Sequence, residues 1–267
     1  MDSYIFMKDI RIYTLFSGSS GNCHYIKLGE REILIDAGKN AKAVTESLSS
    51  IGADIKRITD IYLTHDHSDH TSALRVLQKK NPHIRVHCHP LCREAIAQSG
   101  TDTSDFIDTE SGSERLSDEI RIVAFDVPHD ASACLGYRIE YQADGRKMNV
   151  GVATDIGHLT LDITNGLCGC DAVIVESNHD AGMLIDGPYP EYLKRRILSP
   201  VGHLSNASCA KLCTYLSEQG TKCVMLAHIS KENNTRELAA GAVSDLSESG
   251  VRIVVSSDVT PACLYEE

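Results

Sequence analysis

The chain has 267 residues, of which 42% are hydrophobic and 24% charged, an ordinary globular composition that can bury a core without staples. Its formal net charge of −11 works against broad electrostatic capture of nucleic acid, although bound cations can reverse the field locally. With no Trp and 5% aromatic residues, it is poorly suited to a surface that stacks many bases.

The opening MDSYIFMKDI lacks a basic stretch followed by an apolar run, and no segment approaches the roughly 20 apolar residues of a membrane helix. The expectation is a cytoplasmic protein with no membrane contact, whose ten cysteines are free thiols. Strand-type runs come first: RIYTLF (11–16), CHYIKL (23–28) and EILIDAG (32–38). The turn-rich residues 17–22 separate the first two, and Gly29-Glu30 predicts a hairpin between the second and third. AKAVTESLSSIG (41–52) has helical spacing at Ala43, Val44, Leu48 and Ile51, with Gly52 as a stop.

ITDIYLT (58–64) is a strand leading into residues 65–70. A helix follows from Asp69-His70, with Ala73, Leu74, Leu77 and Val76 on its inner face. IRVHCH (84–89) reads as a strand and LCREAIAQSG (91–100) as a helix. The cluster His87-Cys88-His89-Pro90-Leu91-Cys92 fits buried side chains at a strand end better than a structural zinc, which needs a second ligand pair. Cys168 and Cys170, one residue apart, are a poor zinc-ribbon pair.

EIRIVAFDVP (119–128), CLGYRIEYQ (134–142) and KMNVGVATD (147–155) are strands, the last two joined by the turn Ala143-Asp144-Gly145. HLTLDITNG (158–166), PEYLKRRILS (190–199), NASCAKLCTYLSEQG (206–220) and TRELAAGAVSDLSES (235–249) read as helices. DAVIVES (171–177), TKCVMLAH (221–228) and a last run VRIVVSS (251–257) read as strands. Strands with interleaved helices, twice over, predict an α/β protein with two sheets face to face and helices outside, in one domain spanning residues 1–267.

Residues 65–70 carry the strongest chemical signal: His65, His67, Asp69 and His70. An extended backbone sends His65 and His67 to one side, and the helix start turns Asp69 and His70 to a second position. Three imidazoles and a carboxylate suit Zn²⁺, Mn²⁺ or Fe²⁺. Further candidates stand at strand ends: Asp36, His129, Asp155 and His228.

In this order, ILIDAG, LTHDHSDH, VPHD, VATDIG and LAHIS resemble the five motifs of the metallo-β-lactamase fold, over almost the whole chain. The resemblance implies a four-layer αββα sandwich with a dinuclear site at one edge. It implies one cation on His65, His67 and His129, a second on Asp69, His70 and His228, Asp155 bridging them, and Asp36 orienting a ligand from behind. His70 directly after Asp69 is unlike the true lactamases and similar to the phosphodiesterase, glyoxalase and lactonase branches.

The segments FSGSSGN, ESNHD (176–180), GHLSN (202–206) and HISKENN (228–234) look like the WalJ (YycJ) branch, related to tRNase Z and RNase J. The large inserted domain of the RNase J relatives and the tRNA-gripping arm of the tRNase Z relatives have no counterpart here. The resemblance makes Glu176 and His203 a proton-relay pair, set against plain roles as a strand-end cap and a packing residue. It also implies phosphodiester hydrolysis by a hydroxide shared between two cations, with Asp69 orienting the nucleophile.

The implied substrate is nucleic acid, DNA before RNA, trimmed from a 5′ end. A small thioester, lactone or cyclic nucleotide is the alternative. Lys194, Arg195 and Arg196 form the tight basic cluster, either phosphate contacts or the wet face of a helix. Residues 17–22 could lend backbone N–H groups to a phosphate or simply form a turn. His24 and His179 carry no assigned role.

Overall fold

The structure, a computed structural model, describes residues 10–143 and 145–267. The opening residues 1–9, and Asp144 of the expected turn, lie outside the described residues. Strands β1 (Ile10–Phe16), β2 (Cys23–Leu28), β3 (Arg31–Ile35), β4 (Ile58–Tyr62), β5 (Arg85–Cys88) and β6 (Ile107–Asp108) come from the first part of the chain. They are followed by β7 (Gly112–Arg115), β8 (Ile120–Asp126), β9 (Leu135–Ala143), β10 (Arg146–Ala153), β11 (Ala172–Glu176), β12 (Cys223–Ala227), β13 (Arg252–Val255) and β14 (Ala262–Glu266). The pairing makes two seven-stranded sheets, β14-β1-β2-β3-β4-β5-β6 and β13-β12-β11-β10-β9-β8-β7.

Between the strands run α1 (Ala41–Ser50), α2 (Ser68–Thr71), α3 (Leu74–Lys80), α4 (Arg93–Gln98), α5 (Leu161–Leu167), α6 (Ala181–Asp186), α7 (Glu191–Ile197), α8 (Asn206–Glu218), α9 (Arg236–Gly241) and α10 (Ser244–Glu248). Strand periodicity sorts the side chains into layers. On β2, Ile26 and Leu28 join Ile139, Val150, Ile174 and Met225 between the sheets, while Cys23 and Tyr25 face outward among Val44, Leu48 and Leu74. On the second sheet, Val173, Val175, Val224 and Leu226 turn outward onto Ile163, Leu212 and Leu216. The result is the expected αββα sandwich. Among the described residues no helix is long and apolar enough to cross a membrane.

The structure departs from the sequence reading in several places. The helix expected from Asp69 is two pieces, because the Ala73 N–H bonds Ala37 O at 2.9 Å instead of a carbonyl one turn back. Val76, expected on the inner face, is 37% exposed. The helix over 235–249 breaks around Val243, whose φ of −118° leaves the helical region. VRIVVSS is not the last strand: β14 follows it and pairs antiparallel with β1. The cluster after β5 serves packing: His87 Nε2 lies 2.8 Å from Asp60 Oδ1, its ring stacks on Tyr62, and Cys88 and Cys92 are buried.

Candidate metal centre

The carboxyl ends of the central strands meet at one edge of the sandwich. Asp36 follows β3, residues 65–70 follow β4, Asp155 follows β10, Glu176 closes β11 and His228 follows β12. Three of these residues are held in the left-handed region, Asp36 at φ 63°, Asp155 at 58° and His228 at 54°. For a residue with a Cβ this costs about 1–2 kcal/mol each. The surroundings impose it: Asp36 N–H bonds Tyr62 O at 2.9 Å and His228 N–H bonds Ser17 Oγ at 2.7 Å. Each strand thereby ends in a sharp turn that presents a polar side chain at the edge.

Two triads form there. Ligand atoms of His65, His67 and His129 lie within 4.8 Å of one another, as do those of Asp69, His70 and His228. Asp155 sits between them, Oδ2 at 3.3 Å from His70 Nε2 and Oδ1 at 3.7 Å from His129 Nε2. The seven residues named from the motifs are therefore gathered at one place.

Hydrogen bonds set the imidazole tautomers. His70 Nδ1–H donates to Asp36 Oδ2 at 2.7 Å, His228 Nδ1–H to Glu176 Oε1 at 2.7 Å, and His129 Nδ1–H to Gly202 O at 3.2 Å. Thr64 Oγ1 donates to Asp36 Oδ2 at 2.9 Å and accepts from His65 Nδ1 at 2.9 Å. In each of these four rings Nδ1 is engaged from behind and Nε2 is turned to the centre, the arrangement that metal-binding histidines use, with His70 Nε2 also 2.9 Å from Asn22 Nδ2.

His65 Nε2, His228 Nε2 and Asp155 Oδ2 are buried without a hydrogen-bond partner. Orphaned buried acceptors are costly, and a divalent cation satisfies them. The charge balance agrees. Burial disfavours a charged His228, yet Asp155, Glu176 and Asp69 raise its pKa to about 9, and Asp36 and Asp155 hold His70 well above the ordinary range against the same penalty. The buried carboxylates call for positive charge, and the donor set fits divalent metal ions.

Glu176 is fully buried and accepts four hydrogen bonds. Oε1 takes His203 Nδ1–H at 2.8 Å and His228 Nδ1–H, and Oε2 takes the Ile156 and Leu204 N–H groups at 2.6 and 2.9 Å. Burial alone would raise its pKa, but His203 and His228 hold it well below the carboxylate range. His203 is half-buried and lines the cavity over the centre, about 250 Å³, together with Asp69, Tyr189, Arg196 and Ser230. Glu176 does not line the cavity; its oxygens face the two histidines and two backbone N–H groups.

Of the basic cluster, only Arg196 lines the cavity. It pairs with Asp130, whose other oxygen is 3.4 Å from His129 Nε2. Lys194 Nζ bonds Ile185 O and Arg195 pairs with Glu191, so these two belong to the outer face of α7.

Residues 17–22 form a tight turn, and Ser19 of this turn lines the cavity. The Gly18 N–H is taken by Asn22 Oδ1 at 2.9 Å, Gly21 N–H by Gly18 O, and Asn22 N–H by Asp69 O. Asn22 is a site residue that sequence reasoning missed: its Nδ2 lies 2.9 Å from His70 Nε2 and 3.3 Å from Asp69 Oδ2. His24 is a core residue under the centre, bonded to Thr14 at 3.0 Å, and burial lowers its pKa to about 3. His179 is buried beside His203 and Asp180.

Gly38 shows how tightly the support is packed. A Cβ there would fall 1.9 Å from Asp69 O and 2.4 Å from Asn22 N, both backbone atoms. Gly38→Ala is therefore expected to push residues 22 and 69 apart and destabilise the fold by about 1–3 kcal/mol. Thermal unfolding together with metal content checks this: both should fall, and an unchanged pair of values would refute the close packing.

Residues 31–229 match the family model of the beta-lactamase superfamily domain. The chain belongs to this superfamily, and its sandwich is that of the metallo-β-lactamase fold. It is 34% identical over 236 residues to the exodeoxyribonuclease YycJ of Bacillus anthracis, covering 88% of each chain. It is also 34% identical over 229 residues to the exodeoxyribonuclease WalJ of Streptococcus pneumoniae, covering 84% of this chain and 83% of that one. The crystal structure of YhfI from Bacillus subtilis superposes with a TM-score of 0.71 at 14% identity, over 97% of this chain and 100% of that one, a likeness of fold alone.

Proposed function

We propose that the chain hydrolyses phosphodiester bonds at the end of a nucleic-acid strand, DNA in preference to RNA, with two divalent cations in one centre. The observation that carries this is the pair of ligand triads on either side of Asp155. The relatives named exodeoxyribonucleases support the substrate class. His65, His67 and His129 would hold one cation, Asp69, His70 and His228 the other, and Asp155 both. Imidazole and carboxylate donors suit Zn²⁺, Mn²⁺ or Fe²⁺. When bound, such a pair polarises a phosphoryl oxygen and lowers the pKa of water.

The remaining steps belong to the chain's own groups. Asp69 lines the cavity and would take a hydrogen bond from the attacking water, aligning it with phosphorus. His203, its Nδ1–H anchored by Glu176, would give a proton from Nε2 to the leaving oxygen. Glu176 is the positioning residue for this acid. Residues 1–267 would work as one domain, because the ligands follow strands of both sheets, and in a reducing cytoplasm, where the ten free thiols are stable.

Purified protein with Mn²⁺ or Zn²⁺, given labelled linear DNA, RNA, a thioester, a lactone and a cyclic nucleotide, tests the reading. DNA shortened from an end is expected. Turnover of a thioester or lactone with the DNA intact would overturn it. Arg196→Ala should weaken DNA binding about 5-fold and flatten the salt dependence by about one counterion, whereas Lys194→Ala and Arg195→Ala should leave both near wild type. Binding isotherms at several salt concentrations measure this, and equal losses at all three positions would contradict the assignment of Arg196.

A further inference from the structure

Beside the ligand residues the cavity is lined by Tyr189, from the segment joining α6 to α7, and by Leu193 and Arg196 of α7. Tyr189 stands between two prolines, in Gly187-Pro188-Tyr189-Pro190. Pro188 and Pro190 fix their own φ angles, and the residue before a proline is confined to extended backbone, so Tyr189 is held with little freedom to lose on binding. Pro190 caps α7 in an extended conformation, and Gly187 packs so closely that a Cβ would lie 2.4 Å from Met183 O.

Tyr25, Tyr62, Tyr137 and Tyr141 are fully buried and serve the core. Among the described residues Tyr189 is the one Tyr, Phe or Trp that lines the cavity, and Tyr192, three residues on, is 75% exposed.

Resting on the phosphodiesterase reading, we infer that Tyr189 is a stacking platform for the base of the nucleotide being removed, so that the enzyme acts on an unpaired end. The cavity of about 250 Å³ lies near the small end of the roughly 300–1,000 Å³ of small-molecule sites, the scale of a single nucleotide. A ring on one wall and Arg196 beside it offer the two things a single nucleotide presents, a flat π-face and a phosphate. Stacking on an aromatic side chain is indifferent to base identity, as an exonuclease working along any sequence requires. A duplex end must then open before each cut, and substrates with unpaired ends should be cut faster than blunt ones.

The test couples the ring to the base. Wild type, Tyr189→Phe and Tyr189→Ala are given a single-stranded labelled oligonucleotide, and twins lacking the base of the terminal nucleotide at one end or the other. Tyr189→Ala should raise KM about 10-fold on the intact strand, Tyr189→Phe should not, and the penalty should shrink to within about 2-fold on one of the twins.

Melting temperature and metal content, followed in parallel, show whether the variants are folded and loaded. A Tyr189→Ala penalty equal on intact and base-less strands, or no penalty at all, overturns the stacking role while leaving the nuclease reading in place. Wild type that shortens duplex DNA but none of these single strands overturns the unpaired-end inference alone, and wild type that cuts neither overturns the nuclease reading with it.

Discussion

Asp155→Asn is expected to lower DNA cleavage by about 10²–10³-fold and to leave the protein with fewer than two metal ions per chain. The substitution keeps shape and backbone. Asp155 sits at φ 58°, a region that Asn tolerates at least as well as Asp, so the turn after β10 should survive. What is lost is the charge. The carboxylate lies 3.3 Å from His70 Nε2 and from His228 Nδ1, and 3.7 Å from His129 Nε2, reaching both triads.

Its environment already favours the ionised form, since His228, His70 and His129 together outweigh the burial penalty and lower its pKa. An amide offers one neutral oxygen in place of a shared anion, so a cation pair would lose its common ligand. The rate estimate is the size found when a preorganised electrostatic contact to a transition state is deleted. Elemental analysis of dialysed protein and single-turnover cleavage measure the two effects. Two ions per chain with undiminished cleavage would show that Asp155 does not join the triads.

Much of this centre was legible before any coordinates, and the reason is local. Each gathered residue either belongs to residues 65–70 or stands directly after an apolar run, where a sandwich must turn its chain at the sheet edge. Residues without such a mark were invisible. Asn22 acts across 47 positions, to Asp69, and nothing in FSGSSGN distinguishes an amide that holds two ligand residues from one that closes a turn.

Gly38 is a glycine only because two other backbones pass within contact distance of it. Arg196 could not be separated from Lys194 and Arg195 until the rotation of α7 about its own axis was known. Strand β14 is five residues long and finds its partner, β1, about 250 positions earlier in the chain. The breaks after Ser72 and at Val243 likewise follow from packing, since helical spacing runs through both.

Glu176→Gln should act on stability and on metal together, because one carboxylate serves four donors. Gln has one carbonyl oxygen and one NH₂. If the carbonyl faces His203 and His228, the NH₂ meets the Ile156 and Leu204 N–H groups, and two buried donors lose their acceptor at about 1–3 kcal/mol for each unsatisfied group. If the amide turns over, both imidazoles lose the acceptor that fixes Nδ1–H, and His228 can place its proton on Nε2, where the ligand lone pair is needed.

Either orientation should cost about 2 kcal/mol or more of stability, roughly 4–8 °C in a chain of this size, and about 10–100-fold in metal affinity. His203→Ala is the contrasting variant: the ring is half-buried at the cavity, Glu176 keeps three partners, and cleavage should fall while melting temperature and metal affinity hold. Melting curves with and without metal, metal titrations and kcat for both single variants and the double variant separate the two roles. Loss of kcat alone in Glu176→Gln, at wild-type stability and metal affinity, would mean that the carboxylate reaches the substrate itself and that its four hydrogen bonds are incidental.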